Sequence, residues 1–320
     1  MAHLSRRRVL LGAAAVPLWA CRDRAPTPST GAPLPESSEA RAVTRVVAAV
    51  GTREGAGVKL VRTIGSRELS MVDPFLLLDE MRSSDPRDYE PGFPRHPHRG
   101  FETVTYVIAG AVEHGDSLGN RGRLTAGSLQ WMTAGRGIIH SEMPKRGDER
   151  STELHALQLW VNLPRSAKMT APRYQDIAPG RVPEVGGGAR VRVLAGQRAG
   201  ATGPVDGVVA APVLLDVTLA RGEQLAHELP SSHSAFVYGV DGVAIVGAKR
   251  TPVARGELAV LGAGPVAIVS APSEPARVLL VAAAPIREPV ARRGPFVMST
   301  DEELDRAFED YRAGRLTDPG

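Results

Sequence analysis

A single cysteine, Cys21, stands in 320 residues, so no disulfide can close within the chain. Stability must come from buried surface. Aromatic residues are scarce at 4%, and the longest apolar run, Val9 to Ala20, spans 12 residues, short of the roughly 20 that a membrane-spanning helix needs. An integral helical membrane protein is excluded. The net charge of +4 owes three units to Arg6, Arg7 and Arg8; without residues 1–20 the balance is 36 basic against 35 acidic. With no basic cluster interleaved with aromatics, no nucleic-acid partner is expected. What remains is a chain 42% hydrophobic, with 34 glycines and 26 prolines, long enough for two domains of about 150 residues. That glycine and proline content suits many short elements joined by turns.

The N-terminus reads as a targeting segment over residues 1–21. Ser5-Arg6-Arg7-Arg8-Val9-Leu10-Leu11 sets a basic stretch before a modest apolar one and resembles a twin-arginine signal. Leu18-Trp19-Ala20-Cys21 resembles a bacterial lipobox, which makes Cys21 the lipidation site and the mature protein an exported, periplasmic or cell-envelope lipoprotein. The membrane is then met only through that anchor. Residues 22–41, rich in Pro, Ser, Thr and Ala with almost no large apolar side chain, read as a flexible linker.

Beyond Val43 the chain reads as short strands between Gly- and Pro-containing turns, an all-β pattern. Val104-Thr105-Tyr106…Gly110-Ala111-Val112 matches Phe236-Val237-Tyr238…Gly242-Val243-Ala244 at an offset of 132. Gly127-Ser128-Leu129…Gly135 matches Gly256-Glu257-Leu258…Gly264 at 129. Two matches at nearly equal offset point to a duplicated β-unit. The expected domains are 42–165 and 189–295, joined by a connector over 166–188 and followed by a helix and tail over 296–320. In that last segment Ser299-Thr300 offers a capping hydroxyl, acids follow in the first turn, and Leu304, Phe308 and Tyr311 share one face.

Five of the eight histidines fall within residues 96–155. His96-Pro97-His98 and His140-Ser141-Glu142 are each i, i+2 pairs, so on strands both members of a pair face the same side. On adjacent strands the two pairs would aim three imidazoles and one carboxylate at one point. That set suits a divalent transition metal, Fe, Mn, Ni, Cu or Zn, and leaves an octahedral ion two open positions. Glu102 has the parity of His98 and competes for the carboxylate role, but Gly100 can reset the alternation. Glu142 is therefore taken as ligand, and Glu102 as a partner for a ligand histidine. His114 is read as pocket-lining or surface and His155 as structural. In the second half the offsets place Glu228 and Pro230 opposite His96 and His98, and Val269 and Ala271 opposite His140 and Glu142, so one metal site is expected.

The runs His96-Pro97-His98-Arg99-Gly100-Phe101-Glu102-Thr103-Val104, Gln130 to Ile138, His140-Ser141-Glu142-Met143-Pro144 and Leu157-Gln158-Leu159-Trp160-Val161-Asn162-Leu163 closely resemble the pirin family of the cupin superfamily. The segments Asp73 to Asp79 and Gly294 to Arg315 resemble it too. Ile138 stands where cupins at large carry their second-motif histidine, so His140 fits pirins in particular. The resemblance implies two jelly-roll β-barrels in tandem with metal in the leading one, held by His96, His98, His140 and Glu142, typically iron. Several bacterial pirins resemble quercetin 2,3-dioxygenases, which open the central ring of a flavonol with O2 and release carbon monoxide. A flavonol or other small phenolic substrate with O2, acted on by a monomer in a pocket between the barrels, is the expectation. The alternative is a non-enzymatic metal-binding module for redox sensing or protein interaction.

Overall fold

A computed structural model describes residues 39–147 and 151–318, together with Met1. The expected signal, Cys21 and nearly all of the linker lie outside the described residues. Each half of the folded region is built from a seven-stranded and a four-stranded antiparallel sheet curled into a barrel. No described helix is long and apolar enough to cross a membrane.

The duplication is explicit in the strand registers. In the first seven-stranded sheet, Glu80, Leu157, Tyr106 and Leu129 form one row across the strands Phe75–Ser83, Leu154–Asn162, Phe101–Ala109 and Leu129–Thr133. In the second, Asp216, Leu279, Tyr238 and Leu258 form the same row across Val213–Leu219, Ala276–Ala283, Ser234–Asp241 and Glu257–Leu261. The two rows face each other. Tyr106 donates to the Asp216 carboxylate at 2.6 Å and Tyr238 donates to Glu80 at 2.6 Å, each tyrosine reaching into the other barrel. Around them Phe75 meets Phe236 edge-on with ring centroids 5.2 Å apart, and Val104, Trp131, Leu157, Leu258, Leu279 and Val281 complete a core shared by both sheets. Face-to-face sheet packing of this kind buries alternate residues of each strand.

Edge strands are exchanged, so the expected boundaries do not coincide with the sheets. Val43–Ala48 pairs with Glu257–Leu261 of the second sheet, and Arg173–Ile177, inside the expected connector, pairs with Leu129–Thr133 of the first. The final segment also returns to the first barrel. Its helix, Asp301–Arg312, is capped by Thr300, whose hydroxyl accepts from the Glu303 N–H while the Glu303 carboxylate accepts from the Ser299 N–H, a reciprocal capping box. Leu304 and Ala307 bury against Phe296, Met298 and Leu316, with Ile139 of the first barrel packed alongside.

Candidate metal centre

The strand Phe93–His98 pairs antiparallel with Ile138–Lys145, placing His96 directly opposite His140 and His98 opposite Ile138. Directly opposed side chains on antiparallel strands lie close, and alternation brings His98 to the same face. The three imidazoles therefore converge, with ring centroids 4.5 to 5.0 Å apart and one nitrogen from each within 4.8 Å of the others.

Hydrogen bonding fixes which nitrogens face the cluster. His96 Nδ1 lies 2.8 Å from the Pro94 carbonyl and His98 Nδ1 lies 3.1 Å from the Pro295 carbonyl. A carbonyl only accepts, so both Nδ1 atoms carry a proton, and the two Nε2 atoms face each other across 3.0 Å. His140 is wholly buried, with neither ring nitrogen hydrogen-bonded. Burial, then the neighbouring histidines, hold His98 and His140 well below the ordinary imidazole pKa, so they are neutral with lone pairs free. Two nitrogens bound to one ion at about 2.1 Å and a right angle would sit about 3 Å apart. The donor set fits a divalent transition metal, and ring N–H groups tied to backbone carbonyls are the usual support for such ligands.

Glu142 stands beside the three histidines rather than among them. Its Oε2 is 4.0 Å from His140 Nε2, and its carboxylate accepts from Thr105 Oγ1 at 3.1 Å and from Gln158 Nε2 at 2.9 and 2.8 Å. The cluster opens into a cavity of about 850 Å³ whose lining includes His96, His98, Glu142, Gln158, Trp160 and Arg292. Every lining residue comes from the first barrel or from residues 292–295, which lead into the final helix and lie outside both barrel sheets, so the cavity is not the expected pocket between the barrels. Trp160 stands edge-on to His98 at 5.3 Å, and the Arg292 guanidinium lies 4.7 Å over the Trp160 ring.

Glu102 is not a partner of a ligand histidine. On the strand Phe101–Ala109 Thr105 faces Glu142 and Tyr106 faces the second barrel, so alternation puts Glu102 on the Tyr106 side, where it accepts from Thr133 at 2.7 Å. Gly100, in a left-handed turn at φ 87°, ends one strand and begins the next, and parity is lost across it. Burial raises the Glu102 carboxyl above its ordinary value. His114 is buried, 3.2 Å from Asp176 and stacked on Tyr174, so it is not a surface residue. His155 is structural, 2.7 Å from Glu80. Thr105, Gln158 and Trp160, which sequence reasoning did not single out, owe their places to cross-strand pairing of Gln158 with Thr105, a register that no local motif signals.

Two barrels with one histidine-rich centre in the leading half define a bicupin. The family model described as Pirin matches residues 57–161, and that of the Pirin C-terminal cupin domain matches residues 214–317. The chain belongs to the pirin family. It is 43% identical over 271 residues to a Pseudomonas aeruginosa protein provisionally named a quercetin 2,3-dioxygenase, covering 82% of this chain and 93% of that one. Human pirin is 40% identical over 265 residues, covering 81% and 88%. A crystal structure described as quercetin 2,3-dioxygenase from Acinetobacter baumannii superposes with a TM-score of 0.79 at 31% identity, covering 86% of this chain and 98% of the other.

Proposed function

We propose that the protein is a metal-dependent dioxygenase of the quercetin 2,3-dioxygenase type, acting on a flavonol or similar phenol with O2. The observation that carries this reading is the pair of imidazole Nε2 atoms, of His96 and His98, 3.0 Å apart at the floor of a cavity of about 850 Å³, beside an orphaned third histidine. A divalent ion held by His96, His98 and His140, iron in the first instance and Mn, Ni, Cu or Zn as substitutes, supplies Lewis acidity toward a hydroxyl oxygen and activates the substrate for O2.

The chain's own groups do the rest. His96 and His98 are held in one tautomer by the Pro94 and Pro295 carbonyls. The Glu142 carboxylate, an acceptor of three hydrogen bonds, lies on the cavity wall and takes the proton of the flavonol 3-hydroxyl as general base. Trp160, with Arg292 stacked over its ring, lines the cavity wall against which a flat ring would lie. Both oxygen atoms of O2 enter the product as the central ring opens and carbon monoxide leaves.

Protein loaded with Fe(II) or Mn(II) and given quercetin in air should bleach the flavonol absorbance and release carbon monoxide. Tight metal binding with no bleaching would remove the dioxygenase reading and favour a metal-binding module for redox sensing or protein interaction.

A further inference from the structure

Three guanidiniums line the cavity, those of Arg62, Arg95 and Arg292. Arg62 is committed: it donates to the two oxygens of Asp79 at 2.7 Å each, and its Nη1 lies 2.9 Å from Glu54. Arg95 and Arg292 have no acidic group within 4.0 Å among the described residues. The two differ in how they are held. Arg95 makes no hydrogen bond to a described residue, whereas Arg292 Nη1 donates to the Leu76 carbonyl at 3.0 Å and its guanidinium lies 4.7 Å over the Trp160 ring. That leaves Nε and Nη2 of Arg292, one flat edge of the fork, without a partner among the described residues. A guanidinium fixed by a carbonyl and a ring face loses little freedom on closing over a ligand, while Arg95 must first give up its rotamers.

The free edge is also well placed. Trp160 stands 5.3 Å from His98, so the guanidinium stacked on it is one indole removed from the histidine cluster, along the same wall. A rigid aromatic with a hydroxyl at the cluster would bring its remote substituent toward Arg292. Burial, and next Arg62, disfavours the charged form of Arg292, while Asp79 and Glu54, both engaged by Arg62, act the other way. An arriving anion relieves that cost. Two parallel N–H groups are the geometry that a carboxylate accepts. Because Glu54, Asp79 and Glu142 share the lining, a singly charged group suits the cavity better than a dianion such as phosphate. We infer that Arg292 is the specificity-determining residue of the cavity, holding a carboxylate on the part of the substrate remote from the hydroxyl at the histidine cluster. Hydroxylated aromatics that bear such a carboxylate are then preferred over their neutral counterparts. The inference rests on the proposed metal-dependent reading and narrows its substrate class.

The test compares 3-hydroxyflavone with its 4′-carboxylate and its 7-carboxylate, which put the charge at either end of one rigid frame. Each is titrated calorimetrically into the zinc(II)-loaded full chain without oxygen, so that binding is read apart from turnover. At low ionic strength one of the two carboxylates should bind about tenfold more tightly than the parent, and added salt should shrink that advantage. The advantage is a ratio within one variant, so a general loosening of the wall cancels. Arg292→Gln should abolish it while changing zinc affinity by less than about threefold, and Arg95→Gln should leave it in place. Arg292→Met, which keeps the stem over Trp160, repeats the arm if glutamine disturbs the wall, and circular dichroism verifies the fold. Equal binding of all three flavonols by the unchanged protein would overturn the inference. So would an advantage that survives both Arg292 variants, or one that Arg95→Gln removes instead. Failure to bleach quercetin with the preference intact would remove the proposed reaction alone, bleaching without the preference would remove this inference alone, and failure to bind zinc would remove both.

Discussion

The Pro94 and Pro295 carbonyls hold the Nε2 atoms of His96 and His98 3.0 Å apart, and beside them His140 is buried with neither ring nitrogen hydrogen-bonded. The folded state therefore gains on binding a cation there, because the unfolded chain presents no such cluster. Divalent metal at a hundred times its dissociation constant should add about 2.7 kcal/mol to stability. Differential scanning calorimetry should show a higher Tm on loading, a lower one on chelation, and no response in His140→Ala. A loaded protein with the Tm of the chelated one would leave the cluster without its assigned role. The histidines were readable because spacing of two on a strand is a local property. Gln158 and Thr105 were not, because their meeting depends on how strands 53 residues apart align. Glu102 was misread for a related reason: parity counts along one strand, and Gly100 ends that strand.

The stretch that runs from Arg292 into the final helix supplies a wall of the site. Its Pro295 carbonyl orients His98, its Val297 N–H donates to the Arg99 carbonyl at 3.0 Å, and a Cβ on Gly100 would collide with the Val297 carbonyl oxygen. Lys168 pins this crossing. It is 2% exposed, and its ammonium donates to Gly100 O, Asn162 Oδ1 and Val297 O at 2.8, 2.7 and 3.1 Å with no carboxylate within ion-pair distance. Burial lowers its pKa from 10.5 to about 8. Between those values the unfolded chain binds the proton that the folded one has released, so this residue's contribution to stability rises with pH. The full rise is on the order of 3 kcal/mol. In denaturant titrations the stability gap between the wild type and Lys168→Met should widen from pH 8 to pH 10, and a gap that stays flat or narrows would show that the amine is not buried as a cation. At neutral pH the variant should also lose about 1 to 3 kcal/mol through the carbonyl oxygens left unpaired.

Across the whole molecule the repeat legible at offsets of 132 and 129 is real, but the offset of 132 does not carry over to the strand of His96 and His98. Gln224–Glu228 pairs with Val266–Ser270 so that Leu225 faces Val269 and His227 faces Ala267, which sets Leu225 and His227, not Glu228 and Pro230, against His96 and His98. One histidine survives there, lowered to about 4 first by burial and then by Arg198, and Leu225, Val269 and Ala271 fill the space that His96, His140 and Glu142 occupy in the first barrel. The loops between strands differ in length, so no single offset serves both halves. The pseudo-symmetry that remains is used at the join. Asp216 accepts from Tyr106 and from Arg277 at 2.8 and 2.7 Å, while Glu80 accepts from Tyr238 and from His155, and His155 occupies the register position of Arg277. The two locks are therefore unequal. Removing the Tyr106 hydroxyl leaves Asp216 with a bidentate guanidinium, whereas removing that of Tyr238 leaves Glu80 with one imidazole. Burial alone would raise the Glu80 carboxyl, and the bonds from His155 and Tyr238 outweigh it and hold it below the usual carboxylate range. A carboxylate lowered in the folded state stabilises above its unfolded value and loses that contribution as pH falls through the folded one. Tyr238→Phe should accordingly cost about 2 kcal/mol at pH 7 in a urea titration, more than Tyr106→Phe, with its deficit shrinking once the medium is acid enough to protonate Glu80. Equal losses from the two substitutions, or a Tyr238→Phe deficit that grows on acidification, would show that the barrels are joined by apolar packing alone.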